Sequence, residues 1–112
     1  MPTLRTREDF ARISAKGRTR ADRLMVLRFV PNARDHDRFG ISTGRRLGGA
    51  VQRNRVRRRL REILRANPNP TGHGWDILVV ARPASADAPF DELRAATERL
   101  LGAVRRSMKD PA

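Results

Sequence analysis

Between Arg45 and Arg65 the chain carries nine arginines and one acid, Glu62, a net charge of +8 in 21 residues. A guanidinium is planar and permanently charged. It offers paired N–H donors that match phosphate oxygens, and it stacks on nucleobases. Such a run is suited to gripping a polyanion, not to making or breaking bonds. The groups that bond chemistry needs are not assembled elsewhere. The twelve acids are scattered, the two histidines (His36 and His73) sit in no ligand motif, and there is no cysteine. No catalytic general acid–base pair, metal-binding cluster or thiol nucleophile is expected in this chain. Thr71-Gly72-His73-Gly74 reads as a turn. Gly44, Gly48 and Gly49 lack the Gly-Lys-Ser/Thr ending of a phosphate cradle. Trp75 opens a strand and reads as a packing residue.

The arginines need an element that presents them together. From Ala50 to Ala66 the pattern is helical, and Asn67-Pro68-Asn69-Pro70-Thr71-Gly72 stops it. On a wheel of roughly 100° per residue, Val56, Leu60, Ile63 and Leu64 gather into one apolar arc. Asn54, Arg57, Arg58, Arg61 and Arg65 share a broad adjoining arc, and Arg55 and Arg59 flank the other side. Arg53, at the helix start, is not assigned by the wheel. One turn rises roughly 5.4 Å, comparable to phosphate spacing along a strand, so several contacts at once are feasible. A merely solvated helix would interleave Glu with Arg in i,i+4 pairs. Here only Glu62 is available, and Arg53, Arg57, Arg61 and Arg65 are like-charged neighbours.

The rest of the chain supplies a scaffold. Thr6, with Asp9 three residues on, predicts the cap of a short first helix carrying Phe10 and Ile13 and ended by Gly17. Leu24 to Val30 reads as a strand, with Met25, Leu27 and Phe29 on the core face and Val26, Arg28 and Val30 on the other. Phe39 to Thr43 reads as a second strand, Phe39 and Ile41 inward, Gly40 and Ser42 outward. Ile77 to Ala81 is a continuous apolar run, as in a central strand buried on both faces. Phe90, Leu93, Thr97, Leu100, Leu101 and Val104 form one stripe of a final helix, with Asp87 as its expected cap. The outline is helix, strands, helix, strand, helix: a small α/β (α+β) domain with helices packed on a sheet.

Bulk properties agree. A length of 112 residues suits one domain, residues 1–112, built on a hydrophobic fraction of 38%. Twenty-five basic residues stand against twelve acids, a net +13, and all but Lys16 and Lys109 are Arg. A core does not need that excess; a polyanion partner does. Pro83 to Val104, by contrast, is mildly acidic, so charge is segregated. No apolar run is long enough for a bilayer and the first ten residues are polar, so a cytoplasmic protein with no membrane partner is expected.

The block Arg38-Phe39-Gly40-Ile41-Ser42, followed by Arg45-Arg46-Leu47-Gly48-Gly49-Ala50-Val51-Gln52-Arg53-Asn54-Arg55-Val56-Arg57-Arg58-Arg59-Leu60-Arg61-Glu62, closely resembles the signature of the bacterial ribonuclease P protein. The resemblance extends to Asp9-Phe10, Gly17, Val80-Ala81-Arg82-Pro83 and the final helix, and so covers nearly the whole chain. It implies a small two-layer αβββαβα sandwich whose basic helix makes a left-handed βαβ crossover, against the usual right-handed rule. It also implies a short extra strand, or an extension of the next one, around Arg18 to Arg23. The implied function is that of a protein subunit of ribonuclease P, which removes the 5′ leader of precursor tRNA by phosphodiester hydrolysis. The catalytic site and its Mg²⁺ would be held mainly by the RNA subunit, with one protein per RNA. By motif match, Arg45, Arg46, Arg53, Asn54, Arg55, Arg57, Arg58 and Arg61 would contact RNA or organise the site. Phe10, Val26, Arg28 and Ser42 match leader-cleft positions, and Phe10 reads equally well as a core anchor for the first helix. Ser14 and Arg28 stand where the family often has aromatics, so guanidinium stacking and charge would replace ring stacking at Arg28. An open sheet face bearing Val26, Arg28, Gly40 and Ser42 could lie against an extended single strand, mainly through its backbone and by stacking.

Two rivals share the charge. A structural RNA-binding protein would not need the full block, and a zipper-type DNA reader would continue in apolar heptads where Pro68 and Pro70 instead end the helix. Comparison of precursor tRNA, mature tRNA and duplex DNA as ligands separates the three.

Overall fold

The computed structural model describes residues 3–4, 6–72 and 74–107. His73, read above as part of a turn, lies outside them. In chain order the elements are α1 (Arg7–Lys16), β1 (Arg18–Ala21), β2 (Met25–Pro31), β3 (Arg38–Thr43), a 3-10 turn (Arg45–Leu47), α2 (Ala50–Arg65), β4 (Trp75–Ala81), a second 3-10 turn (Pro83–Ala86) and α3 (Phe90–Ser107). This is the expected αβββαβα order. The four strands form one sheet in the order β1-β2-β4-β3. β2 runs antiparallel to both β1 and β4, whereas β3 and β4 are parallel. Parallel neighbours need a crossover, and α2 supplies it.

The register fixes two faces. Met25, Leu27 and Phe29 lie opposite Ala81, Val79 and Ile77, and with Phe39 they form one floor of the main core. α2 closes that core with Val56, Leu60, Ile63 and Leu64, the same four residues that the wheel gathers. α3 adds Leu93, Ala96, Leu100, Leu101 and Val104. Trp75 packs here at a ring separation of 5.5 Å from Phe29, as a core residue.

The opposite face carries Val26, Arg28, Val30, Leu78 and Val80. It is not fully open, because Leu4 and α1, through Ile13, bury Val30 and Leu78 in a second, smaller cluster. Gly40, expected on an open face, is buried beneath Leu4 and Phe10. α1 begins with the predicted reciprocal cap: the Asp9 N–H donates to Thr6 Oγ1 (3.0 Å) and the Thr6 N–H to Asp9 Oδ2 (3.3 Å).

A buried polar lock ties α1 down. Asp76, fully buried on β4, accepts from Arg38 at Nε and Nη2 (both 2.8 Å), from Asn32 Nδ2 (2.9 Å) and from Arg12 of α1. Arg38 Nη2 also reaches Asp9 at 3.0 Å. A buried carboxylate is tolerated only when paired and hydrogen-bonded in this way.

Two boundaries depart from the sequence reading. β1, too polar and short to declare itself, pairs Arg18–Ala21 with Phe29–Val26 where the resemblance implied a strand. Asp87 does not cap α3: it closes the 3-10 turn Pro83–Ala86, and α3 starts after Pro89, whose carbonyl accepts from the Leu93 N–H at 3.0 Å. Proline has no N–H to satisfy and fits the entry to a helix. Among the described residues, no helix is long and apolar enough to cross a membrane.

Candidate nucleic-acid interface

The arginine segment is positioned by two anchors. Leu47 is buried and pins the 3-10 turn, leaving Arg45 and Arg46 exposed. Gly48 then turns the chain at φ +140°, with its absent Cβ position only 2.3 Å from Gln52 Oε1. The angle strains any residue with a Cβ, and an added Cβ would have to push the Gln52 side chain aside. The freed Gln52 Oε1 accepts from the Gly49 N–H at 2.6 Å and caps α2.

On α2 the arginines divide by partner. Arg55 and Arg59 turn towards the second 3-10 turn and the segment after it, donating to the carbonyls of Ala86 (3.0 Å) and Ala88 (3.2 Å). Arg57 leans the other way and donates to Thr43 Oγ1 (2.6 Å) and Asn54 Oδ1 (3.3 Å). The side chains of Arg45, Arg46, Arg53, Arg58, Arg61 and Arg65 make no hydrogen bond or ion pair with the described residues. Glu62 is likewise in no ion pair with them. Elsewhere the pattern differs: Arg23, Arg94 and Arg99 are neutralised by Glu92, Asp91 and Asp22.

Arg57, Arg61 and Arg65, one per turn, form one wall of a groove of about 490 Å³ along the β3 edge. Gly40 and Ile41 line its floor, and Phe10 and Leu4 form the far wall. Phe10 is 36% exposed, high for a ring of its size. Its ring sits over Gly40, where an added Cβ would lie 3.1–3.3 Å from Leu4, Leu78 and Phe10 itself. Phe10, Arg57 and Arg61, far apart in sequence, thus share one groove. Arg65 joins them; it lies on the predicted arc but outside the residues marked by motif.

The remaining cleft positions fall into rows across the sheet. Ser42, Val80 and Val26 form one row, and Gly40, Leu78, Arg28 and Thr19 the next. Ser42 is exposed and Val26 half-buried. Arg28 is committed inside the fold: Nη2 donates to the carbonyls of Ile13, Ser14 and Gly17 at 3.1–3.4 Å, and Nη1 reaches Thr19 Oγ1 at 3.4 Å. It caps the carboxyl end of α1 from the sheet. Its Nε–H is buried without an acceptor among the described residues.

Two perturbed groups lie behind this site. Burial alone would raise the Asp9 carboxyl, but its hydrogen bonds with Thr6 and Arg38 outweigh that and hold it below the ordinary value of 3.8. Arg38 is held more firmly protonated than usual, first by its hydrogen bond to Asp76, against the opposing effect of burial. No group of three His, Cys, Asp or Glu among the described residues could hold a metal.

A groove with a three-arginine wall and an aromatic wall, beside four further unpartnered arginines (Arg45, Arg46, Arg53 and Arg58), is built for charge recognition and stacking. Comparison with known proteins points the same way. The family model described as Ribonuclease P matches residues 2–105. The chain is 43% identical over 99 residues to the ribonuclease P protein component of Roseiflexus castenholzii, covering 88% of this chain and 81% of that protein. It is 42% identical over 98 residues to the same component of Symbiobacterium thermophilum, covering 87% and 85%. Among solved structures it is similar to the Staphylococcus aureus RNase P protein, with a TM-score of 0.85, 31% identity and coverage of 94% and 96%. The RNase P protein from Thermotoga maritima gives a TM-score of 0.83 at 32% identity, covering 92% and 97%.

Proposed function

The chain belongs to the ribonuclease P protein family, and from that premise we propose how its residues serve the ribonucleoprotein that matures the 5′ ends of tRNA. The chain is the protein subunit of an endoribonuclease whose catalysis lies in the RNA subunit. Its own work is binding. The unpartnered arginines Arg45, Arg46, Arg53, Arg58 and Arg61, with Arg57 and Asn54 beside them, contact the phosphates of the catalytic RNA. Arg55 organises this surface by tying α2 to the Ala86 carbonyl. The observation that carries the reading is the set of α2 and 3-10-turn arginines without internal partners, in a fold that neutralises other arginines with acids. Leaving charges unpaired costs self-repulsion, which a polyanion relieves while counterions are released.

The precursor's 5′ leader lies in the cleft formed by Phe10, Val26 and Ser42 beside the α1 edge. Phe10 supplies a stacking face. Arg28 shapes the end of this cleft through its hold on α1. Mg²⁺ belongs with the RNA: this chain lowers the electrostatic cost of bringing two polyanions together and so the Mg²⁺ concentration they require. One protein acts per RNA, in the compartment where precursor tRNA is made.

The test is cleavage of precursor tRNA by a bacterial ribonuclease P RNA at low Mg²⁺, with and without the protein. Strong protein-dependent activation at the 5′ junction is expected. Tight RNA binding without activation would leave a structural RNA-binding protein instead. For the cleft, Phe10→Ala should reduce discrimination between precursor and mature tRNA while ribozyme affinity persists; unchanged discrimination would remove Phe10 from the leader path.

A further inference from the structure

A second positive surface lies at the opposite edge of the sheet. β1 and β3 are the two edges, three strand spacings or roughly 14 Å apart. On β1, Arg18 and Arg20 both reach the carboxyl end of α3: Arg18 Nη1 donates to the Ser107 carbonyl (3.2 Å) and Arg20 Nη2 to Ser107 Oγ (2.6 Å). Arg106 shares a shallow concavity with Arg20, Ala103 and Ser107, and Arg105 is exposed beside it. Four guanidiniums therefore gather around one helix end, and none forms an ion pair with the described residues. The sequence after Ser107 adds one Lys and one Asp, which cancel. The helix dipole favours cations at this last turn, Arg105 and Arg106 included, but it amounts to roughly half a charge, which Arg18 at the Ser107 carbonyl already answers. Arg20, Arg105 and Arg106 remain in excess. At the other end of the same helix each arginine has an acid: Arg94 with Asp91, Arg99 with Asp22, and Arg23 with Glu92.

The open part of the cleft leads to the edge that carries this patch. The row Ser42, Val80, Val26, Ala21, which α1 leaves uncovered, crosses the sheet from β3 and ends on β1 next to Arg20, whose own side chain lies on the α3 face. A single strand that follows this row leaves the sheet at the β1 edge and, turning over it, brings its next phosphates to Arg20 and Arg106. We infer that the β1 edge and the carboxyl end of α3 form a second phosphate-binding surface, centred on Arg20 and Arg106, for the part of the precursor leader 5′ to the cleft. The inference rests on the leader reading above. The ligand chemistry is a flexible phosphodiester backbone, so the contact is insensitive to base sequence and sensitive to salt.

The experiment measures the affinity of the assembled ribonucleoprotein for precursor tRNAs with leaders of increasing length, and its salt dependence. The variants are Arg106→Gln and the pair Arg20→Gln/Arg106→Gln. The Arg106 side chain makes no hydrogen bond or ion pair with the described residues, so its single variant separates charge from folding. With the unaltered protein, affinity should rise again once the leader extends beyond the cleft. In the pair variant that second rise should vanish, and the log–log salt slope for long leaders should fall by roughly 0.7 for each lost contact. Equal second rises in variant and unaltered protein would overturn the inference, as would a second rise that is absent from the unaltered protein although short leaders still bind better than mature tRNA. If short leaders gain nothing over mature tRNA, the leader reading itself fails, and that result is distinct from the other two. If mature tRNA weakens equally in the variants, the patch serves the tRNA body or the ribozyme instead, and the leader assignment is wrong.

Discussion

Single side chains in this protein divide into those that spend their charge internally and those that do not. Arg12, Arg38 and Arg28 are spent on Asp76, Asp9 and the α1 carbonyls, whereas Arg58 and Arg61 are not. Replacing Arg58 and Arg61 together by Ala should leave the fold intact and weaken ribozyme binding. The salt slope should drop by up to about one unit per phosphate contact, and an unchanged slope in a filter-binding titration would remove both residues from the interface. Asp9 makes the opposite kind of prediction. Its folded value lies below 3.8, so the stability it contributes is present above that value and is lost as pH falls through the lower folded one. Amide exchange in α1 should accelerate below about pH 4, ahead of the sheet, and Asp9→Asn should remove that pH dependence. Much of this scale was invisible in the sequence. Asp76 is a lone acid in an apolar strand, which signals a buried partner, but its partners Arg12 and Arg38 lie 64 and 38 residues away. The same distance problem hid the use of Arg28 as a cap for α1.

Elements were more legible, because a helix or strand period is local. The wheel isolates the buried residues Val56, Leu60, Ile63 and Leu64 of α2, and alternation separates the two faces of β2. β1 escaped because its four residues, Arg-Thr-Arg-Ala, contain no apolar alternation. The α3 cap was misplaced because Asp87 satisfies a compositional rule while Pro89 satisfies a geometric one. The joint before α2 is the element on which the interface depends. Gly48→Ala should cost roughly 1–3 kcal/mol of backbone strain, and the new Cβ would displace Gln52 from the Gly49 N–H. The expected outcome is a lower melting temperature together with weakened RNA binding, since Arg45 and Arg46 would lose their fixed offset from α2. A variant with unaltered melting temperature and affinity would mean that the turn does not position them.

At the scale of the molecule, α1, α2 and α3 are all seated on the same four strands, and the Asp76 lock joins the α1 side to the strand that also floors the main core. The chain should therefore unfold in one cooperative transition. Trp75, packed against Phe29 inside the core, provides a fluorescence signal for the core, and far-ultraviolet circular dichroism reports on all the helices. Their melting curves should coincide above about pH 5; separate midpoints would divide the chain into independently folding parts. The net charge of +13 was legible from composition alone. Its division between two sheet edges was not, because that depends on strand order.

The β3 edge has a consequence for the protein in the absence of RNA. The Leu4 N–H pairs with the Phe39 carbonyl at 2.8 Å, while the stretch at Ile41 borders the open groove. Bare strand edges invite neighbouring chains to add to the sheet and begin aggregates. A second copy approaching this edge would have to bring its own Arg57, Arg61 and Arg65 against the same three residues. The wall here proposed as an RNA contact is thus also a guard against self-association, and neutralising it would expose the chain to sticking to itself.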